Sequence, residues 1–285
     1  MQVTILSGKG GTGKTTIAVG IAETIKNSIK IDCDVDAANM YLYYKGNEIK
    51  KESFYSGKIA EINLDKCIKC GKCVRNCKFE VIKDYKVDSL KCEGCGVCKL
   101  VCPVGAIEMS DNHIADIIEE KLDTGYLIRA DMEIGADGSG RLITKLRNKA
   151  KNNDEVIIID GSPGIGCPVI ASITNTDLCL VVTEPTLSGL NDLERVLELI
   201  NSFKIKVLVC INKYDINLNM TENIENYCRE NNIEIIGLIP YDDIVTKSIN
   251  DLKPIILYET SQAGIEIKKI AEKIFKIYKE EYLWK

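Results

Sequence analysis

The sequence predicts an α/β fold in which a mainly parallel, doubly wound sheet is interrupted by a small cysteine-rich module. Three observations carry this. Short runs of Ile, Val and Leu alternate with helical stretches along most of the chain, as in strands buried on both faces. A glycine-rich segment joins the first run to the first helix. Eight of the thirteen cysteines crowd into residues 67–102.

In chain order, residues 3–6 read as a strand, 7–14 as a loop and 15–27 as a helix. A second strand over 30–33 ends among Asp32, Asp34 and Asp36. From residue 60 to about 110 the pattern turns cysteine-rich and loop-rich, and the αβ alternation then resumes, so the module is an insertion and not a tail. Residues 114–132 alternate as a hairpin that returns the chain to the sheet. A helix over 142–150 follows, then strands over 156–159 and 178–182. Helix 188–202, strand 207–211, helix 221–230, strand 233–239 and a final helix over 263–282 complete the series. The division is therefore 1–58 and 112–285 as one domain, with 59–111 as the insert. In an open parallel sheet, ligands are expected at the carboxyl ends of the strands.

A net charge of −5 argues against a broad polyanion-binding surface, so nucleic acid is not an expected partner. No apolar run approaches the roughly 20 residues that span a bilayer. The chain enters its first strand directly, without the pattern of a signal peptide, and a cytoplasmic location is expected. Thiols stay reduced there, so thirteen cysteines imply metal chemistry and not a disulfide framework. Cys33, Cys167, Cys179, Cys210 and Cys228 lie outside the crowd among apolar residues, where packing is the default. His113 is expected to be exposed and without a partner. The final helix carries Ile267, Ile270, Ile274, Ile277 and Tyr278 at helical spacing. Glu280 and Glu281 break its basic face, so core packing is expected over a membrane anchor.

The cysteines form an internal repeat. Cys67, Cys70, Cys73 and Cys77 recur as Cys92, Cys95, Cys98 and Cys102 at a constant offset of 25. Each half is C-x2-C-x2-C-x3-C, the spacing in which three thiolates hold one 4Fe-4S cluster and the fourth reaches the other. Cluster I would take Cys67, Cys70, Cys73 and Cys102, and cluster II would take Cys92, Cys95, Cys98 and Cys77. The doubled spacing favours iron-sulfur over tetrahedral zinc. This segment resembles bacterial two-cluster ferredoxins through Cys102-Pro103-Val104-Gly105-Ala106-Ile107. It departs from that pattern at Cys77-Lys78, where a proline would stand.

Gly8-Lys9-Gly10-Gly11-Thr12-Gly13-Lys14-Thr15 fits G-x-x-x-x-G-K-T between a strand and a helix, a Walker A loop. Its glycines let backbone N–H groups converge on phosphates, Lys14 meets the β and γ oxygens, and the Thr15 hydroxyl ligates magnesium. Thr16 completes the phosphate-binding turn. ATP and Mg are the implied ligands.

Lys9, just before Gly10-Gly11, resembles the deviant Walker A of the MinD/Mrp superfamily, which includes the nitrogenase iron protein. Asp32-Cys33-Asp34-Val35-Asp36 is similar to its switch I and Asp160-Gly161-Ser162-Pro163-Gly164 to its switch II. Asn212-Lys213 and Pro240 are similar to its adenine pocket. The resemblance implies a P-loop NTPase sheet, a homodimer, and a Lys9 that reaches the partner's nucleotide. It further implies that Asp34 positions the attacking water, Asp160 holds the magnesium shell and Gly164 offers its N–H to the γ-phosphate. Asp32 and Asp36 read equally well as a solvated strand end. Cys167 has the spacing from Asp160 of one bridging-cluster ligand of the nitrogenase iron protein. The glycine-rich stretch 135–141, where a second ligand would lie, has no cysteine.

Two functions follow. One is an ATP-hydrolysing iron-sulfur protein whose nucleotide state controls electron transfer from two 4Fe-4S clusters to a redox acceptor. The other is an ATP-dependent cluster carrier or assembly factor that delivers to a cluster-receiving protein.

Overall fold

The computed structural model describes residues 1–150 and 156–282, without the side chains of residues 281 and 282, so Glu281 of the basic-face argument lies outside it. The chain runs β1 (Gln2–Leu6), α1 (Lys14–Thr24), β2 (Ser28–Asp32), β3 (Asn47–Ile62), α2 (Lys72–Asn76), β4 (Ile82–Lys83), β5 (Lys86–Val87) and α3 (Val97–Leu100). Then come β6 (Ile107–Leu122), β7 (Gly125–Met132), α4 (Ser139–Lys149), β8 (Ile157–Asp160), α5 (Cys167–Ile173), β9 (Leu178–Thr183) and α6 (Leu187–Ser202). β10 (Lys206–Asn212), α7 (Leu218–Glu230), β11 (Glu234–Ile239), α8 (Ile244–Asn250) and α9 (Gln262–Tyr282) finish it.

The strand order is β11-β10-β9-β1-β8-β2-β7-β6-β3, and the strands from β11 through β7 run parallel. Period-two alternation explains why both faces are covered. Val3 and Ile5 of β1, Leu178, Leu180 and Val182 of β9, and Leu208 and Cys210 of β10 enter one core, against α1 and α9. Leu6, Cys179, Val181, Val209 and Ile211 enter the other, with Val169 of α5, Leu193 and Val196 of α6, and Ile224 of α7. On α9, Ile267, Ile270 and Ile274 are buried in the first core, as the helical spacing predicts. No helix among the described residues is long and apolar enough to cross a membrane.

The chain divides into two compact units. The first holds Met1–Lys51, Ile117–Asp131 and Ser139–Lys285, and the second holds Glu52–Asp116 and Met132–Gly138. The second has its own small core of Ala60, Val81, Ile82 and Ile107 with the Cys73 and Cys98 side chains among them.

Several elements differ from the sequence reading. β3 is a 16-residue strand that no apolar run announces, because nearly all of its side chains are exposed or half-buried. It carries the chain from the first unit into the second, which begins at Glu52. α5 and α8 are too short to show a helical period. His113 is not free: its Nε2 lies 3.1 Å from Asp116 Oδ1, its Nδ1 3.5 Å from Glu133, and its ring meets Tyr55 edge-on.

Candidate nucleotide and cysteine sites

In the first unit the carboxyl ends of five neighbouring parallel strands supply one cluster of polar side chains. The loop after β1 ends at Gly13, whose φ of 89° starts α1 without a side-chain cap and leaves the first helical N–H groups free for an anion. A Cβ at Gly13 would lie 2.5 Å from Asn212 Nδ2, so only glycine fits there. That amide donates to the Thr12 carbonyl at 2.8 Å and ties the loop to the end of β10.

Lys14 Nζ lies 2.6 Å from Asp160 Oδ1 at the end of β8 and 3.2 Å from Asp34 Oδ2 after β2. Thr15 Oγ1 donates to Asp160 Oδ2 at 2.6 Å. Burial disfavours the Lys14 charge, but the Asp160 and Asp34 carboxylates outweigh it and hold the ammonium above its ordinary pKa. Burial raises Asp34, with Lys14 opposing and Asp160 adding to the rise. Asp32 is pushed up to about 7, by burial first and by the Asp160 charge second. Three acids thus face one buried ammonium. That excess of carboxylate, beside the Thr15 hydroxyl, is a hard-oxygen set suited to Mg²⁺. Thr12 Oγ1 is buried with no hydrogen-bond partner among the described residues, an orphan that a phosphate oxygen would satisfy.

Of the two readings open for each residue, the solvated strand end fits Asp36 and does not fit Asp32. Asp32 is fully buried and accepts from the backbone N–H groups of Asp34, Asn39 and Met40, which fixes the turn after β2. Asp36 is exposed. Gly164 N donates to the Ser7 carbonyl at 2.9 Å, so its N–H is already engaged. Ser162 Oγ donates to the Cys33 carbonyl at 2.6 Å, joining the two predicted switch segments. Lys9 is not extended. Its Nζ meets Glu184 Oε1 at 2.6 Å and Ser188 Oγ at 2.9 Å within its own chain. Gly8, Gly10 and Gly11 lie in the loop after β1, and Thr16 lies in the first turn of α1.

Glu184 was not singled out from the sequence, yet it faces both Lys9 and, at 3.6 Å, Lys213. Its place just past β9, at a carboxyl strand end, was the available signal. Asn212 pairs with Ile239 across β10 and β11, which brings Pro240 beside Asn212 and Lys213. Cys33, Cys179, Cys210 and Cys228 are buried as packing requires. Cys167 is not: it is exposed at the first position of α5, because the turn before it leaves the surface open. A Cβ on Gly140 would lie 3.7 Å from Cys167 Cβ, so Gly140 lies beside it.

In the second unit the eight repeat cysteines line two cavities. Cys67, Cys70, Cys73 and Cys102 line one, and Cys77, Cys92, Cys95 and Cys98 line the other, so each half of the repeat gives its fourth cysteine to the other half's cavity. Gly71 and Gly96, 25 residues apart, both take left-handed φ and start the matching turns α2 and α3. Gly94, at φ 61°, lets its loop press on β3, since a Cβ there would lie 2.2 Å from the Lys58 carbonyl oxygen. Burial raises the Cys73 and Cys98 thiols. Backbone N–H groups led by Ala106 lower Cys102, whose Sγ accepts from Ala106 N at 3.3 Å. No three His, Cys, Asp or Glu side chains among the described residues converge tightly enough for a single metal ion. The thiols line the two cavities and do not meet at a point.

Comparison with known proteins fits the nucleotide geometry. The CobQ/CobB/MinD/ParA nucleotide binding domain family matches residues 3–255, and the chain belongs to it. It is a P-loop ATPase of the MinD/ParA group. An uncharacterised protein of Methanocaldococcus jannaschii is 38% identical over 279 residues, covering 96% of each chain. An uncharacterised ATP-binding protein of the same organism is 30% identical over 283 residues, 95% of this chain and 97% of that one. Among solved structures, the septum site-determining protein MinD of Pyrococcus horikoshii, complexed with Mg-ADP, superposes with a TM-score of 0.61. It is 18% identical over 97% of this chain and 96% of its own, a likeness of fold.

Proposed function

We propose that this chain is an ATP-hydrolysing iron-sulfur protein in which nucleotide state controls electron transfer from two 4Fe-4S clusters to a redox acceptor. The observation that carries the reading is the crossed sorting of eight cysteines into two four-cysteine cavities. Two such clusters would supply one-electron chemistry, at a potential set by cluster charge, hydrogen bonds to the sulfurs and solvent exposure.

The nucleotide side follows from contacts that ATP must exchange. Lys14 gives up Asp160 and Asp34 for the β and γ oxygens, and Asp160 with Thr15 turns to Mg²⁺. Gly164 gives up the Ser7 carbonyl for the γ-phosphate. Asp34, freed from Lys14, orients the attacking water. The adenine lies by Asn212, Lys213 and Pro240. Asp34 is followed in the chain by the turn Met40–Tyr43 and then by β3, which enters the cysteine unit, so the switch and the clusters share a short covalent path. In a homodimer, Lys9 exchanges Glu184 for the partner's nucleotide.

The test is anaerobic purification with iron and sulfide analysis, for which two clusters require about eight of each per chain. Transfer to an acceptor is then followed with and without ATP. Transfer indifferent to nucleotide sinks the coupling. A second reading, cluster delivery, is favoured by the exposed Cys167 seven residues past Asp160, a thiol outside both cavities. ATP-dependent passage of intact clusters to an apo-protein would establish it.

A further inference from the structure

The two cysteine cavities come from one repeated sequence, yet their rims differ in charge. Residues 66–77 carry Lys66, Lys69, Lys72 and Arg75 and no acidic residue, whereas the matching residues 91–102 carry Lys91 and Lys99 with one acidic residue, Glu93. The 25-residue offset isolates the change: Lys69, Lys72 and Arg75 occupy the places of Gly94, Val97 and Leu100. Lys72 lines the first cavity where Val97 lines the second. Lys66, Lys69, Lys72 and Arg75 are all exposed, and none has an acidic partner among the described residues. In the second half Lys91 faces Asp88 at 3.8 Å. The first-half loop is held in place, since Tyr85 donates to the Lys69 carbonyl at 2.6 Å and Arg75 to the Cys70 carbonyl at 3.3 Å. Exposed apolar side chains, Ile68 and Val104, stand at the same cavity. Exposed apolar side chains at a cavity flanked in sequence by four exposed basic residues make a surface that steers and seats an oppositely charged protein.

We propose that the basic rim of the first cavity, formed by Lys66, Lys69, Lys72 and Arg75, is the docking surface for an acidic one-electron acceptor protein. The proposal rests on the cluster reading above. It makes the site ligated by Cys67, Cys70, Cys73 and Cys102 the exit: each acceptor molecule gains one electron, that site loses one, and no proton or bond changes hands. Dithionite supplies the electrons in the experiment.

The test uses the full chain, purified anaerobically, with iron and sulfide measured first. An acidic flavodoxin and the basic cytochrome c serve as probes, and affinity is read by calorimetry at low and high salt. The expected result is that flavodoxin binds more tightly at low salt. The triple variant Lys69→Glu, Lys72→Glu, Arg75→Glu weakens it at least about tenfold, while Lys83→Glu, Lys86→Glu, Lys91→Glu in the other half costs a small fraction of that. The milder triple to Gln serves where charge reversal lowers the iron content. Equal losses in both triples, salt-independent binding, or preference for cytochrome c overturns the proposal. Salt-sensitive self-association that the first triple abolishes assigns the face to a second copy and also overturns it. A wild-type chain without iron removes the parent reading, a failure visible before any binding is measured.

Discussion

The two units hold their functional groups in opposite ways. In the ATPase unit the site is scattered through the sequence, with Lys14, Asp34, Asp160 and Asn212 brought together by strands whose apolar faces fill two separate cores. Those cores are complete without any ligand. In the cysteine unit two side chains of the repeat are themselves part of the core: Cys73 and Cys98 sit among Ala60, Val81, Ile82 and Ile107. A core that small leaves little apolar burial to offset chain entropy. The polar site of the first unit thus lies outside its cores, whereas the second unit builds repeat cysteines into its core; under the cluster proposal, bound metal would complete that small core.

The comparison is broken most directly by removing one thiolate. Cys73→Ser is expected to lose about half of the roughly eight irons that two clusters supply, with hydrogen-exchange protection falling across the cysteine unit and unchanged in β1, β8 and β9. Uniform loss across both units would erase the distinction. The next effect lies on the other side. Lys14→Ala or Asp160→Asn should lower ATP turnover at least about a hundredfold by steady-state assay, with iron content unchanged, because charge neutralisation carries phosphoryl transfer.

Gly94→Ala adds a Cβ that would lie 2.2 Å from the Lys58 carbonyl oxygen, at a positive φ. It should destabilise the cysteine unit by about 1–3 kcal/mol, seen as a lower denaturation midpoint in its exchange profile alone. The smallest effect belongs to the ion pair of the phosphate loop. Lys9 is one-third exposed, so Glu184→Gln should change stability by less than about 1 kcal/mol. Under the homodimer proposal it should instead lower the nucleotide concentration needed for self-association, measured by sedimentation, because Lys9 is released from its intrachain partner.

The same contrast explains what could be read without coordinates. The parallel strands of the ATPase unit were legible because β1, β8, β9 and β10 are buried on both faces and consist of aliphatic runs. Walker A was legible because its chemistry demands fixed spacing. β3 was not, since its sixteen residues are mostly polar and exposed. Asp32 stays open between two readings in the sequence, because a buried carboxylate that caps three backbone N–H groups looks the same there as a solvated one. Glu184 and Ser188 lie about 180 residues from Lys9, and only the fold makes them neighbours. The four-and-four division of the cysteines follows from spacing alone, while the different charge of the two rims acquires meaning only once the cavities are separate.

The most direct test of the whole account is stopped-flow reoxidation of dithionite-reduced, anaerobic protein by an acceptor, with and without MgATP. The account predicts two clusters per chain, a reoxidation rate that changes with MgATP, and no such change in Lys14→Ala. Identical rates with and without nucleotide in a chain that holds both clusters would contradict it.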